Sequence, residues 1–156
     1  MFGFFIQSIY MIDFPIQSLE GLLIWFIGLG LIINSIIFWL GLYSQGNPRL
    51  PSGSIIGSVW IFLLTCMAIA QWLIIQSCDY KWVHWLIPLL FIYCILYPIY
   101  TGGFNSKKMS DISTVLSVIF SGYIAYILYS YNWIAAGLIG LTTLWTLYVS
   151  YMTVLQ

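Results

Sequence analysis

The sequence predicts an all-α integral membrane protein, a bundle of five transmembrane helices. Three observations predict it. Of 156 residues, 62% are hydrophobic and 5% are charged, whereas a soluble domain carries about 25% charged residues. The mean hydropathy is +1.02. The apolar residues also fall into five runs, each close to the roughly 20 residues that a spanning helix needs. Four Lys plus Arg against four Asp plus Glu leave no net charge, so there is no basic face for nucleic acid. The wealth of aromatic and branched aliphatic residues excludes disorder. Five spans use nearly the whole chain and leave no room for a soluble catalytic domain.

Each segment follows from its punctuation. Residues 1–19 mix Gln7, Asp13, Pro15 and Gln17 with aromatics, which suits an interfacial segment. Met1 to Ile12 lacks the basic flank and small-residue cleavage site of a removable signal. The five-helix domain covers 20–156. Its first span, 20–44, ends at Gln45 to Gly53, a loop that Pro48, Pro51, Gly46 and Gly53 keep from being helical. The second span covers 54–76, and a short loop with Asp79, Lys81 and His84 follows. The third covers 82–100 and is broken by Thr101-Gly102-Gly103. The fourth covers 112–131, the chain turns at Asn132, and the fifth covers 133–156.

Five spans place the termini on opposite sides. One side carries Arg49, Lys107 and Lys108, and the other carries Lys81. The excess of cations on cytoplasmic loops then puts the N-terminus outside and the C-terminus inside. Small residues mark close helix contacts: Ser113, Ser117, Ser121 and Ala125 in span four, Ser54 and Ser58 in span two, Ala136 and Gly140 in span five. These rows read as scaffold, and they would equally serve a homodimer.

The chemistry is defined first by what the spans lack. No Asp, Glu, Lys or Arg lies inside any of them. Such residues mark ion paths and proton relays, so an ion-coupled transporter, a pump or a charged-ring channel is disfavoured. General acids and bases are missing from the membrane interior for the same reason. Cys66, Cys78 and Cys94 follow no metal-ligand spacing and read as packing residues. His84, between Trp82 and Val83 on one side and Trp85 on the other, reads as interfacial.

The aromatic residues are the positive signal. Trp39, Trp72, Trp82, Trp85 and Trp133 fall near span ends, where tryptophan collects at headgroup level. Trp60 lies six residues into span two, about 9 Å deep at 1.5 Å per residue. Trp145 lies twelve residues into span five, near mid-membrane. A buried indole N–H needs a partner. A backbone carbonyl or a hydroxyl of Thr146 or Ser150 would supply one. Alternatively, both indoles face a cavity for a flat apolar ligand.

The stretch Pro51-Ser52-Gly53-Ser54-Ile55-Ile56-Gly57-Ser58-Val59-Trp60 resembles the start of the second helix in the TspO/translocator protein family. That family is also known as the tryptophan-rich sensory proteins or peripheral benzodiazepine receptors. Pro48 and Pro51 stand near the family's prolines. Pro98-Ile99-Tyr100-Thr101-Gly102 is similar to the motif closing its third helix, and Leu144-Trp145 to a pair in its fifth. The resemblance covers roughly residues 20–156. Departures make this chain a divergent member. Tyr93 and Thr153 stand where the family carries asparagines, Leu141 where it has a proline, and Leu64 where it has a tyrosine. The basic sterol-recognition segment of animal members has no counterpart up to Gln156.

The resemblance implies a receptor, sensor or transporter that binds a tetrapyrrole (a porphyrin or haem-like ligand) between its helices, with no cofactor required. Trp60 and Trp145 match the two tryptophans that the family places in its cavity. Arg49, Pro51 and Gly57 belong to the matching stretch and complete the candidate ligand-binding set. The loop from Gln45 to Gly53 would cover the cavity, and Arg49 would either pair with a propionate or anchor topology. Light-dependent porphyrin breakdown, associated with some members, would draw on the ligand's photochemistry and on tryptophans rather than on acid–base groups. Two other readings stand beside this one. The first is an accessory or structural subunit without a pocket. The second is a passive transporter whose polar path would use Asn34, Ser35, Thr65, Gln71, Thr142, Thr143 and Thr146. The membrane would be bacterial or organellar.

Overall fold

The computed structural model describes residues 14–42, 51–100 and 107–154. They form five helices and, among the described residues, no strand. Helix α1 spans Leu19–Trp39, α2 Gly53–Ser77, α3 Val83–Ile95, α4 Lys107–Tyr129 and α5 Trp133–Val154. Four are long and apolar enough to cross a membrane, and α3 is shorter. This is an all-α, multi-pass membrane bundle.

The helices form a ring in which α1 packs on α2, α2 on α5, α5 on α4, α4 on α3 and α3 on α1. A further contact between α2 and α3 pinches the ring. The α4–α5 pairing is the most extensive and rests on the small-residue row seen in the sequence. Ser113, Ser117 and Ser121 are buried on α4, and Thr142, Thr146 and Ser150 are buried on α5. Their size lets two backbones approach in a medium where van der Waals contact drives association. The hydroxyls are largely satisfied within their own helices: Ser121 Oγ donates to the Ser117 carbonyl at 2.7 Å and Thr146 Oγ1 to that of Thr143 at 3.0 Å. Ser54 and Ser58, in contrast, are exposed on α2.

Local signals set the helix ends. Ser18 caps α1, its Oγ accepting from Gly21 N–H at 3.1 Å. Expected to reach residue 44, α1 instead stops at Trp39. Gly41 adopts φ 68°, Leu42 N–H donates to the Ile37 carbonyl and Gly41 N–H to that of Phe38. This paired, left-handed C-terminal turn suits glycine. Asn132 makes the expected tight turn and caps α5, its Oδ1 accepting from Ile134 and Ala135 N–H at 3.0 Å each. Helix α4 begins at Lys107, five residues before the expected start. Helix α3 is interrupted at Leu96, because Pro98 has no N–H for the carbonyl four residues back and its ring crowds that carbonyl.

Within α1, Ile24–Gly28 is a π-helical turn. Successive side chains diverge less in such a turn than in an α-helix, and Trp25 and Phe26 both reach Phe91 of α3, at ring distances of 4.9 and 4.8 Å. Phe14 closes the cluster against Trp25 and Trp85 at 5.8 and 5.3 Å. Phe14 is therefore buried, although it lies in the segment expected to be interfacial.

Candidate functional site

The two ends of the bundle differ. At one, the α2–α3 loop meets the α4–α5 turn. Tyr131 packs edge-on against Tyr80 and Trp82, and Asn132 Nδ2 donates to Ser77 Oγ at 3.3 Å. His84 is buried here rather than interfacial. Its Nε2 donates to the Cys78 carbonyl at 2.8 Å, since a carbonyl only accepts. Gln71 Nε2 donates to the His84 carbonyl at 2.8 Å, and Gln71 Oε1 is buried without a partner. These bonds tie α2 to the start of α3. The Cys78 thiol is pushed above its ordinary range, chiefly by burial. Among the described residues no group of His, Cys, Asp or Glu could hold a metal, and all three cysteines are free and buried.

At the other end lies a cavity of about 50 Å³, lined by Asn34 of α1, Trp60 and Leu64 of α2, and Cys94, Ile95, Tyr97 and Pro98 from the end of α3. Three sequence features create it. Helix α1 stops soon after Asn34. The Pro98 interruption pulls the chain out of helical register behind Cys94. Gly30 lets α1 approach α2 so closely that a Cβ there would sit 2.8 Å from Leu64 Cδ1. Tyr97 is held from behind by α4, its hydroxyl 2.7 Å from Thr114 Oγ1. Thr114 gives its own proton to the Ser110 carbonyl, so Tyr97 is the donor in that pair. One turn earlier, Tyr93 donates to the Ser113 carbonyl at 2.8 Å. Asn34 Nδ2 donates to the Gly30 carbonyl at 2.9 Å.

The expected site residues distribute unequally around this cavity. Trp60 lines it. Trp145 is half-buried on α5, tilted against Tyr148 at 5.5 Å, and is not part of the lining. Its sequence neighbours Leu144 and Leu147 are exposed. Among the described residues, this cavity is lined by one of the two tryptophans, Trp60. Gly57 is exposed, with nothing within 4 Å of where a Cβ would be. Pro51 is half-buried just before α2, and Arg49 lies outside the described residues. Tyr97 and Pro98 were not singled out as site residues from the sequence, and Asn34 was read only as part of a polar path. An asparagine and a helix-breaking proline inside apolar runs were the signals that could have found them.

A cavity of this size is a small gap rather than a finished binding pocket, since small-molecule sites run to about 300 Å³ or more. Its walls are apolar with an indole, an amide, a phenol and a thiol, and no carboxylate or ammonium lies among the described lining residues. Such walls offer apolar contact and a few hydrogen-bonding groups. No family model matches this chain, and no curated protein does.

Proposed function

We propose that this is a membrane receptor or carrier of the TspO type, taking a tetrapyrrole or another flat apolar ligand between α1, α2 and α3 at the Trp60 end. The observation that supports it is the cavity against Trp60, at the end of the bundle where the proline-containing Gln45 to Gly53 loop enters α2. A tetrapyrrole is far larger than 50 Å³, so it enters by displacing helix ends. The end of α1 at Trp39 and the break of α3 at Leu96 place two helix ends beside the cavity, so a larger ligand would displace helix ends rather than the middle of a helix. An N-terminus outside, a C-terminus inside, and a bacterial or organellar membrane complete the reading. Porphyrin photochemistry, if it occurs, belongs to the ligand and nearby indoles.

The test is titration of the protein in lipid nanodiscs with protoporphyrin IX, read by tryptophan quenching in wild type, Trp60→Phe and Trp145→Phe. Saturable quenching in the micromolar range or tighter, weakened at least fivefold by Trp60→Phe, is the expected result. Weakening by Trp145→Phe as well would extend the ligand toward α5. Quenching that never saturates, or that matches an unrelated helical membrane protein, would contradict the reading. An accessory subunit without a pocket would then stand in its place, its exposed Ser54, Gly57 and Ser58 facing another helix or a second copy.

A further inference from the structure

We infer that Asn34 is the specificity-determining residue of the Trp60 cavity, and that the cavity selects a ligand that offers an N–H or O–H donor on a flat apolar body. This rests on the proposed ligand-binding reading and adds the chemistry by which the ligand is chosen.

Asn34 sits in the apolar run Leu29-Gly30-Leu31-Ile32-Ile33-Asn34-Ser35-Ile36-Ile37, inside the last turns of α1, where it neither caps nor turns the chain. A polar amide in that setting is costly unless its groups find partners. Its nitrogen has one: Nδ2 donates to the Gly30 carbonyl at 2.9 Å. A carbonyl only accepts, so the orientation of the amide is set by chemistry, and Oδ1 is the atom left over. Asn34 makes no other hydrogen bond among the described residues. Asn34 lines the cavity, so an amide fixed through its nitrogen brings one unbonded acceptor to the site.

Among the described residues no wall group is bonded to it, the Trp60 indole N–H and the Cys94 thiol included. Leu64, Ile95 and Pro98 have no side-chain donor. The phenol proton of Tyr97 is committed to Thr114, because Thr114 spends its own on the Ser110 carbonyl. Asn34 Oδ1 is then an acceptor left for a donor that the ligand brings, in a wall with no carboxylate or ammonium among its described lining residues. A site built around a polar group discriminates strongly against a ligand that leaves the group unpaired.

The experiment uses three flat tricyclic probes of nearly one shape: carbazole, which carries an N–H; dibenzofuran, which carries only an acceptor; and fluorene, which carries neither. Each is titrated into wild type, Asn34→Leu and Trp60→Phe in nanodiscs, with empty nanodiscs subtracted. Wild type is expected to bind carbazole roughly five- to tenfold tighter than the other two, the effect of one net hydrogen bond. Asn34→Leu is expected to erase that preference while keeping its affinity for fluorene. Equal affinity for the three probes in wild type would overturn the inference, and so would a preference that survives Asn34→Leu. Both results would leave the ligand-binding reading intact, because saturable binding that Trp60→Phe weakens would remain. Failure of all three probes to bind saturably would overturn the cavity reading and the inference together. The wild-type comparison needs no variant to fold.

Discussion

The two ends of the bundle are built from the same kinds of residue and behave as opposites. Around Phe14, Trp25, Phe26, Trp85 and Phe91, aromatic rings pack edge to face, and Gln71, His84 and Cys78 join α2 to α3 through main-chain carbonyls. Around Asn34, Trp60 and Pro98 the same three helices diverge and leave space. The difference does not come from hydrophobicity, which is high at both ends. It comes from continuity. At the packed end each helix continues into a capped turn or a bonded loop. At the open end α1 has stopped and α3 is broken. In this bundle a gap opens where helices are interrupted, with no carboxylate or ammonium among its described lining residues.

That contrast can be broken or sharpened by mutation. The largest effect is expected from Phe91→Ala, which removes the ring that both Trp25 and Phe26 contact. It should cost about 3–5 kcal/mol, measured by denaturation in mixed micelles, and a loss under 1 kcal/mol would mean that the aromatic cluster does not hold α1 to α3. Gln71→Leu comes next. It deprives the buried His84 carbonyl of a donor, which costs about 1–3 kcal/mol, but it also removes the unpartnered Oε1, so the lower part of that range is expected. Asn132→Ala should cost about 1 kcal/mol through the lost α5 cap. An unchanged midpoint would show that the turn is held by Tyr131 instead.

Gly30→Ala is expected to have the smallest effect on stability and the most selective effect on the site. The new methyl meets only the tip of Leu64, which has the cavity to swing into. Stability should fall by no more than about 1 kcal/mol, while affinity for protoporphyrin IX drops severalfold. A large loss of stability with unchanged affinity would show that Leu64 cannot move and that the space beside it is not used by ligand.

The five helices, the Asn132 turn and the serine row of α4 were legible because each depends on local pattern. A run of apolar residues, a capping amide and an i, i+4 spacing mean the same thing wherever the helices finally sit. The early stop of α1 was legible too, since Gly41 is the ordinary residue for a left-handed helix end, but the apolar residues beyond it masked the signal. Burial of His84 was not legible. Two flanking tryptophans suggested an interface, whereas the partners that bury it, Gln71 and the Cys78 carbonyl, are chosen by how α2 and α3 meet. The same holds for the cavity. Trp60 stood out as a deep indole in a motif, while Asn34 and Tyr97 acquire their place only when three separate helices come together. Trp145 illustrates the converse, since its depth in α5 says nothing about which side of the ring it faces.

The central claim is that the Trp60 end receives ligand while the aromatic end holds the bundle together. Hydrogen exchange of the nanodisc-embedded protein with and without saturating protoporphyrin IX tests it most directly. The account predicts that ligand changes exchange in residues 30–39, 53–64 and 94–100 and leaves residues 71–87 as they were. Changes confined to the outer face of α5 around Trp145, or no change at all under saturating ligand, would contradict it.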